Sequence, residues 1–130
     1  MTETILLYHV DEKLKAIIER LCQQIGVVVK EIDDADIYQK MGYLLGIDGF
    51  ERLEDQEIDI NMDQELLFFA FMTKEQLDIL LDVFKAAEIP FIPYKAMLTE
   101  SNIEYLFYQL YENVAHEYEQ ITNTTNKKAN

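Results

Sequence analysis

Few residues in this sequence could do chemistry. In 130 residues histidine occurs only at His9 and His116, cysteine only at Cys22 and serine only at Ser101. Zinc needs three or four converging nitrogen, sulfur or carboxylate ligands, and neither histidine has a second one at ligand spacing. Glu112, His116 and Glu119 lie on one side of a helix and could pinch a metal, yet exposed helical faces carry such charges routinely. A nucleophilic thiol needs an activating neighbour, and the sequence around Cys22 supplies none, so a structural thiol is expected there. No G-x-S-x-G elbow surrounds Ser101. The run Asp59-Ile60-Asn61-Met62-Asp63 opens like a calcium loop, but Gln64 stands where Gly is required and Ala70 where Glu is required. These residues predict no catalytic site, no metal and no cofactor.

Two stretches invite a binding role. Tyr94-Lys95-Ala96-Met97-Leu98-Thr99-Glu100-Ser101-Asn102 leads from a strand into a helix start, where Lys95, Thr99 and Asn102 form a candidate corner for a small anion or metabolite. Helix capping by Thr99, Ser101 and Asn102 explains the same residue types. Tyr105 and Tyr108 lie off the apolar stripe of the last helix, with Tyr111 flanking, and form a candidate partner surface. The apolar arc of that helix is wider than one sheet face would cover, and tyrosine suits surfaces that meet a partner.

The elements that must position these residues follow from periodicity. Thr4-Ile5-Leu6-Leu7-Tyr8 reads as a buried central strand. Asp11 then caps a helix with Leu14, Ile17, Ile18, Leu21 and Ile25 on one face and Gly26 at its end. Val27-Val28-Val29-Lys30-Glu31-Ile32 is a β-branched second strand. The pattern returns with a strand at residues 65–71, a helix capped by Thr73 and Gln76, and a strand at residues 91–97. Leu77, Leu80, Leu81 and Phe84 match the first helix at an offset of 63. Two β-α-β units with apolar first and third strands predict an α+β, ferredoxin-like two-layer sandwich, with Pro93 marking an edge. A small flavodoxin-like parallel sheet is the alternative. A last helix begins at Thr99 or Ser101 and runs to about residue 121, with Ile103, Leu106, Phe107, Leu110, Val114 and Tyr118 on one face. Residues 122–130 are expected as a frayed tail, which makes residues 1–121 a single domain.

The formal charge is −14, from 25 acidic and 11 basic residues. Residues 31–65 hold twelve of the acidic residues against Lys40 and Arg52 alone, so −10 of the charge lies in a connector between the two units. The connector contains a short helical candidate at residues 37–45 and is otherwise expected as a solvated acidic loop. Such a balance argues against nucleic-acid backbone and anionic membrane as partners. No apolar run approaches the roughly 20 residues that span a bilayer, and Met1-Thr2-Glu3-Thr4 lacks the basic start of a signal peptide. With a single cysteine, a cytoplasmic setting is expected.

The opening strand Ile5-Leu6-Leu7-Tyr8, the segment Gly42-Tyr43-Leu44-Leu45-Gly46, the run Tyr94-Lys95-Ala96-Met97-Leu98-Thr99 followed by Asn102, and the closing His116-Glu117 resemble the bacterial family known as domain of unknown function 3783. The likeness covers residues 4–119, with Tyr105 standing where the family pattern has Trp. It implies a small α/β protein of bacterial origin, brings no activity with it, and draws attention to Lys95, Thr99 and Asn102. The function expected from the residues is a non-enzymatic module that binds a protein partner or a second copy of itself through an edge strand and the Tyr105–Tyr108 face. Small-anion sensing at Lys95, Thr99 and Asn102 is the second expectation. Mimicry of nucleic acid by the acidic surface is the third.

Overall fold

A computed structural model describes residues 1–56 and 60–129, with side chains through residue 122. Strands β1 (Thr4–Tyr8), β2 (Val28–Ile32), β3 (Leu66–Ala70) and β4 (Tyr94–Met97) form one open sheet in the order β2-β1-β3-β4. The helices are α1 (Glu12–Ile25), α2 (Met41–Leu44), α3 (Lys74–Ala86) and α4 (Phe107–Ala129). β1 and β3 are buried along their whole length and run antiparallel, with Thr4 opposite Ala70 and Tyr8 opposite Leu66. Each pairs in parallel with the edge strand of its own unit, β1 with β2 and β3 with β4. The first and third strands are central and the second and fourth are edges, as their sequences predict.

Strand order departs from the ferredoxin-like expectation. That arrangement splits each β-α-β unit, setting a strand of the other unit between its two parallel strands. Here each unit is intact, and the two meet only through the β1–β3 ladder. The antiparallel centre also rules out a wholly parallel flavodoxin-like sheet. Nor are there two layers. Helices α1 and α3 cover Ile5, Leu7, Leu67 and Phe69 on one face, while α4 and the connector cover Leu6, Tyr8, Leu66 and Phe68 on the other. A sheet whose central strands are apolar on both sides needs a cover on both sides.

The two units repeat with an offset of 62 residues rather than 63. His9 and Phe71 both turn with positive φ at the ends of the central strands, and Gly26 and Glu88 do so after the helices. The caps Asp11 and Thr73 obey the same offset, accepting from the backbone N–H of Leu14 and of Gln76. After each helix an N–H reaches back in the same way, Val27 to the Cys22 carbonyl and Ile89 to that of Phe84. Buried Ile18 and Cys22 therefore correspond to Leu80 and Phe84. An amphipathic stripe has apolar neighbours at both i+3 and i+4, so a one-residue slip still matches in sequence.

The acidic connector is a structural layer and not a solvated loop. Ile37, Tyr38, Met41, Leu45 and Met62 lie in the core. Gln39 is fully buried and bonds both backbone groups of Leu53, its amide donating at 2.9 Å and its carbonyl accepting at 2.8 Å. At Gly42 an added Cβ would come within 2.6 Å of the Phe50 ring, so glycine is what lets the ring close over α2. Most of the described carboxylates are exposed while these apolar residues turn in, and net charge does not register that division.

The last helix starts later and ends later than expected. Asn102–Glu104 is a separate 3-10 turn, and Tyr105 is extended. The N–H groups of Phe107 and Tyr108 donate to the carbonyls of Gln39 and Ile37, both at 3.0 Å. These are two of the donors that a helix start leaves without intrahelical partners. Docking on the connector therefore fixes where α4 begins. α4 continues to Ala129, through the stretch expected as a frayed tail, because extending a formed helix is far easier than nucleating one. Among the described residues no helix is long and apolar enough to cross a membrane.

Candidate binding groove

The structure does not assemble the anion corner. Thr99 and Asn102 bond each other reciprocally, the Thr99 N–H donating to the Asn102 side chain at 2.8 Å and the Asn102 N–H to Thr99 Oγ1 at 3.0 Å. The Asn102 amide donates in turn to the Met97 carbonyl at 2.8 Å. These are capping and turn bonds, and they account for the residue types at both positions without a ligand. Ser101 makes no side-chain cap. Lys95 lies opposite Leu67 in the β3–β4 ladder, on the α3 side of the sheet. The Asn102 turn packs toward α2, on the other side.

The tyrosine face is largely used up inside the molecule. Tyr111 is buried and accepts the Gln64 N–H at 3.0 Å, and burial holds its hydroxyl above the usual phenol range. Tyr105 and Tyr108 are half-buried against the same core, Tyr108 edge-on to Tyr38 at 5.9 Å. The wide apolar arc of α4 is real, and the sheet and the connector cover it together.

At the end of β1 three titratable groups meet. His9 stacks on the Tyr8 ring at 4.1 Å, and its Nε2 lies 2.8 Å from Asp34 Oδ1. The Tyr8 hydroxyl donates to the Met62 carbonyl at 2.8 Å and lies 3.2 Å from Asp34. Burial, then the Asp34 charge, hold Tyr8 far above the usual phenol range, so it donates and does not act as a base. The cluster ties the connector to the sheet. Phe71 shares the positive φ of His9 without its chemistry, so the conformation belongs to the strand-to-helix turn and not to a reaction.

Cys22 is buried, and desolvation pushes its thiol up to about 11, which fits the structural role expected of it. His116 and its neighbours Glu112 and Glu119 are exposed, and among the described residues no three His, Cys, Asp or Glu side chains gather to hold a metal. Asp59 of the calcium-like run lies outside the described residues.

The feature that sequence reading missed is a groove beside β4. Between α3 and β4 a cavity of about 320 Å³ opens over Leu67, Phe84 and Ile92. It is continuous at Leu81 and Lys95 with a second cavity of about 200 Å³ over Leu77 and Met97. Phe91 stands at its rim, 72 % exposed, in a loop bracketed by Pro90 and Pro93. The prolines fix φ on both sides of Phe91 and its neighbour. β4 begins only at Tyr94, so Phe91 and Ile92 belong to this loop and not to the strand expected from residue 91. The charged side chains lining the groove are Lys85 and Lys95, and the Lys95 ammonium sits 4.7 Å over the Phe91 ring. The available signal was the doubled proline around one aromatic, which continuous strand propensity hid.

The first unit closes the corresponding edge differently. Its α1 and β2 are joined through Gly26 and Val27 alone, whereas residues 87–93 join α3 to β4. Lys15 of α1 bridges to Glu31 of β2. Leu77 is the counterpart of Lys15 at the 62-residue offset, and Met97 that of Glu31 by sheet register, pairing with Phe69 as Glu31 pairs with Leu7; both line the groove.

No curated protein and no solved structure matches the chain. Residues 65–121 match the family described as Domain of unknown function (DUF3783). The matched stretch contains the Tyr94-to-Asn102 run and His116-Glu117 but not the opening strand or the Gly42-to-Gly46 segment. The part of the chain that carries the groove, from β3 through β4 and into α4, is thus similar to the family of domain of unknown function DUF3783.

Proposed function

We propose that the protein is a non-enzymatic interaction module that holds an extended segment of a protein partner in the groove between α3 and β4. The observation behind this reading is the inequality of two otherwise equivalent units: one is closed by a short turn and an ion pair, the other open over apolar side chains. β4 is also a sheet edge, so among the described residues its outer backbone groups have no strand partner. An open edge beside pockets for side chains is the arrangement used in recognition by strand addition. The expectation of an edge-strand interface is kept, and the Tyr105–Tyr108 face is replaced as its companion. A cytoplasmic setting is part of the reading, consistent with a single, free and buried Cys22.

Closing the groove by copying the first unit tests the reading. Peptides selected from a random display library on the wild-type protein should bind Leu77→Lys/Met97→Glu at least about tenfold more weakly, a loss of roughly 1.4 kcal/mol. They should bind Tyr105→Ala like wild type. Equal binding to the closed variant would remove the groove as the site.

A further inference from the structure

We infer that the segment held in this groove is acidic as well as apolar, alternating hydrophobic side chains with carboxylates that meet Lys85 and Lys95. The inference rests on the groove being a binding site and adds the chemistry of its occupant. A chain with 25 acidic and 11 basic residues lines this one apolar groove with two lysines and no carboxylate. Three cations elsewhere are paired, Lys15 with Glu19 and Glu31, Lys40 with Glu104, and Arg52 with Asp55, and none of the three lines the groove. Among the described residues Lys85 and Lys95 have no carboxylate partner, and the Lys95 ammonium rests over the face of Phe91.

The overall charge does not oppose such a ligand. Most of the excess negative charge lies in residues 31–65, whose buried residues Ile37, Met41, Leu45 and Met62 pack on the α4 side of the sheet, while the groove opens on the α3 side. At physiological ionic strength exposed charges are screened beyond about 8 Å, so the connector contributes little there, and the charges that line the groove itself are the two lysines. The groove suits a peptide better than a compact metabolite: two shallow cavities in line take successive side chains, and the free edge of β4 takes backbone.

Fluorescence polarisation with three pools of labelled eight-residue peptides tests this. Each pool alternates Leu, Ile, Val or Phe with a fixed residue that is Glu, Gln or Lys. The Glu pool should bind wild type about tenfold more tightly than the Gln pool at low salt, within reach of two such pairs. That advantage should disappear in Lys85→Gln/Lys95→Gln and shrink as salt rises. Both lysines are exposed, so the double variant should melt like wild type. Equal binding of the Glu and Gln pools, both lost in Leu77→Lys/Met97→Glu, would overturn the charge inference and leave the groove standing. Failure of every pool to bind would overturn both readings. Dodecanoate binding more tightly than the Glu pool would make the occupant a carboxylated small molecule. Wild type dimerising in light scattering, with Phe91→Asp monomeric, would make the occupant a second copy. Either result overturns the inference.

Discussion

The two β-α-β units share a plan and differ in how they close. In the first, Gly26 and Val27 take the chain from α1 to β2, and Lys15 bridges to Glu31 across the layer. In the second, residues 87–93 make the same connection; they carry Phe91 outward and Ile92 inward, leaving apolar space between α3 and β4. The lesson concerns where binding surface comes from. Helix, caps and central strand are nearly superimposable in plan, and a few residues of connection, with one ion pair replaced by Leu77 and Met97, turn a closed edge into an open groove.

If the units are true equivalents, their cores should respond alike. Ile18 and Leu80 occupy matching positions and are both essentially fully buried. Ile18→Ala and Leu80→Ala should each cost about 3 kcal/mol in urea unfolding, the usual range for such truncations. A difference beyond about 1.5 kcal/mol would show that the groove already loosens the packing under α3.

The helix ends should respond in opposite directions. Gly26 and Glu88 share a left-handed conformation, at φ 76° and 59°. Gly26→Ala should destabilise by about 1 kcal/mol, because a Cβ strains that conformation. Glu88→Gly should stabilise by about 0.5 to 1 kcal/mol, because the strain is relieved there. Thermal melts of both variants report the signs directly, and equal signs would break the equivalence of the two caps.

The smallest expected effect belongs to the first unit alone. The His9 hydrogen bond holds the Asp34 carboxyl below the usual range. A depressed folded-state pKa gives stability that is complete above the unfolded value and lost as pH falls through the folded one. Asp34 is mostly exposed, so the contribution is a few tenths of a kcal/mol at most. Asp34→Asn should flatten the stability profile slightly below about pH 4. Phe71, the counterpart of His9, has no such group, and a Phe71→Leu variant should keep the acid limb of wild type.

Much of the fold was legible. Apolar runs on both faces identified β1 and β3 as central, and Lys30 and Glu31 identified β2 as an edge; Pro93, expected within the fourth strand, lies just before it. Asp11, Thr73 with Gln76, and Gly26 marked helix ends that the structure reproduces. The connector was misjudged because its carboxylates outnumber its inward residues, yet Ile37, Met41, Leu45 and Met62 were enough to make a layer. The start of α4 was misplaced because carbonyls of Gln39 and Ile37, distant in sequence, satisfy its first donors. The candidate site was the least legible part. Thr99 and Asn102 have residue types that serve a cap and an anion equally well, and Lys85 and Lys95 belong to different elements.

Local sequence thus determined the elements, the caps and the ranking of strands by burial, because periodicity and capping act within a few residues of chain. Tertiary structure alone decided strand order, the cover over the second sheet face and the existence of a groove. Each of those depends on which surfaces meet across the sheet, and on how far a short connection lets α3 and β4 close.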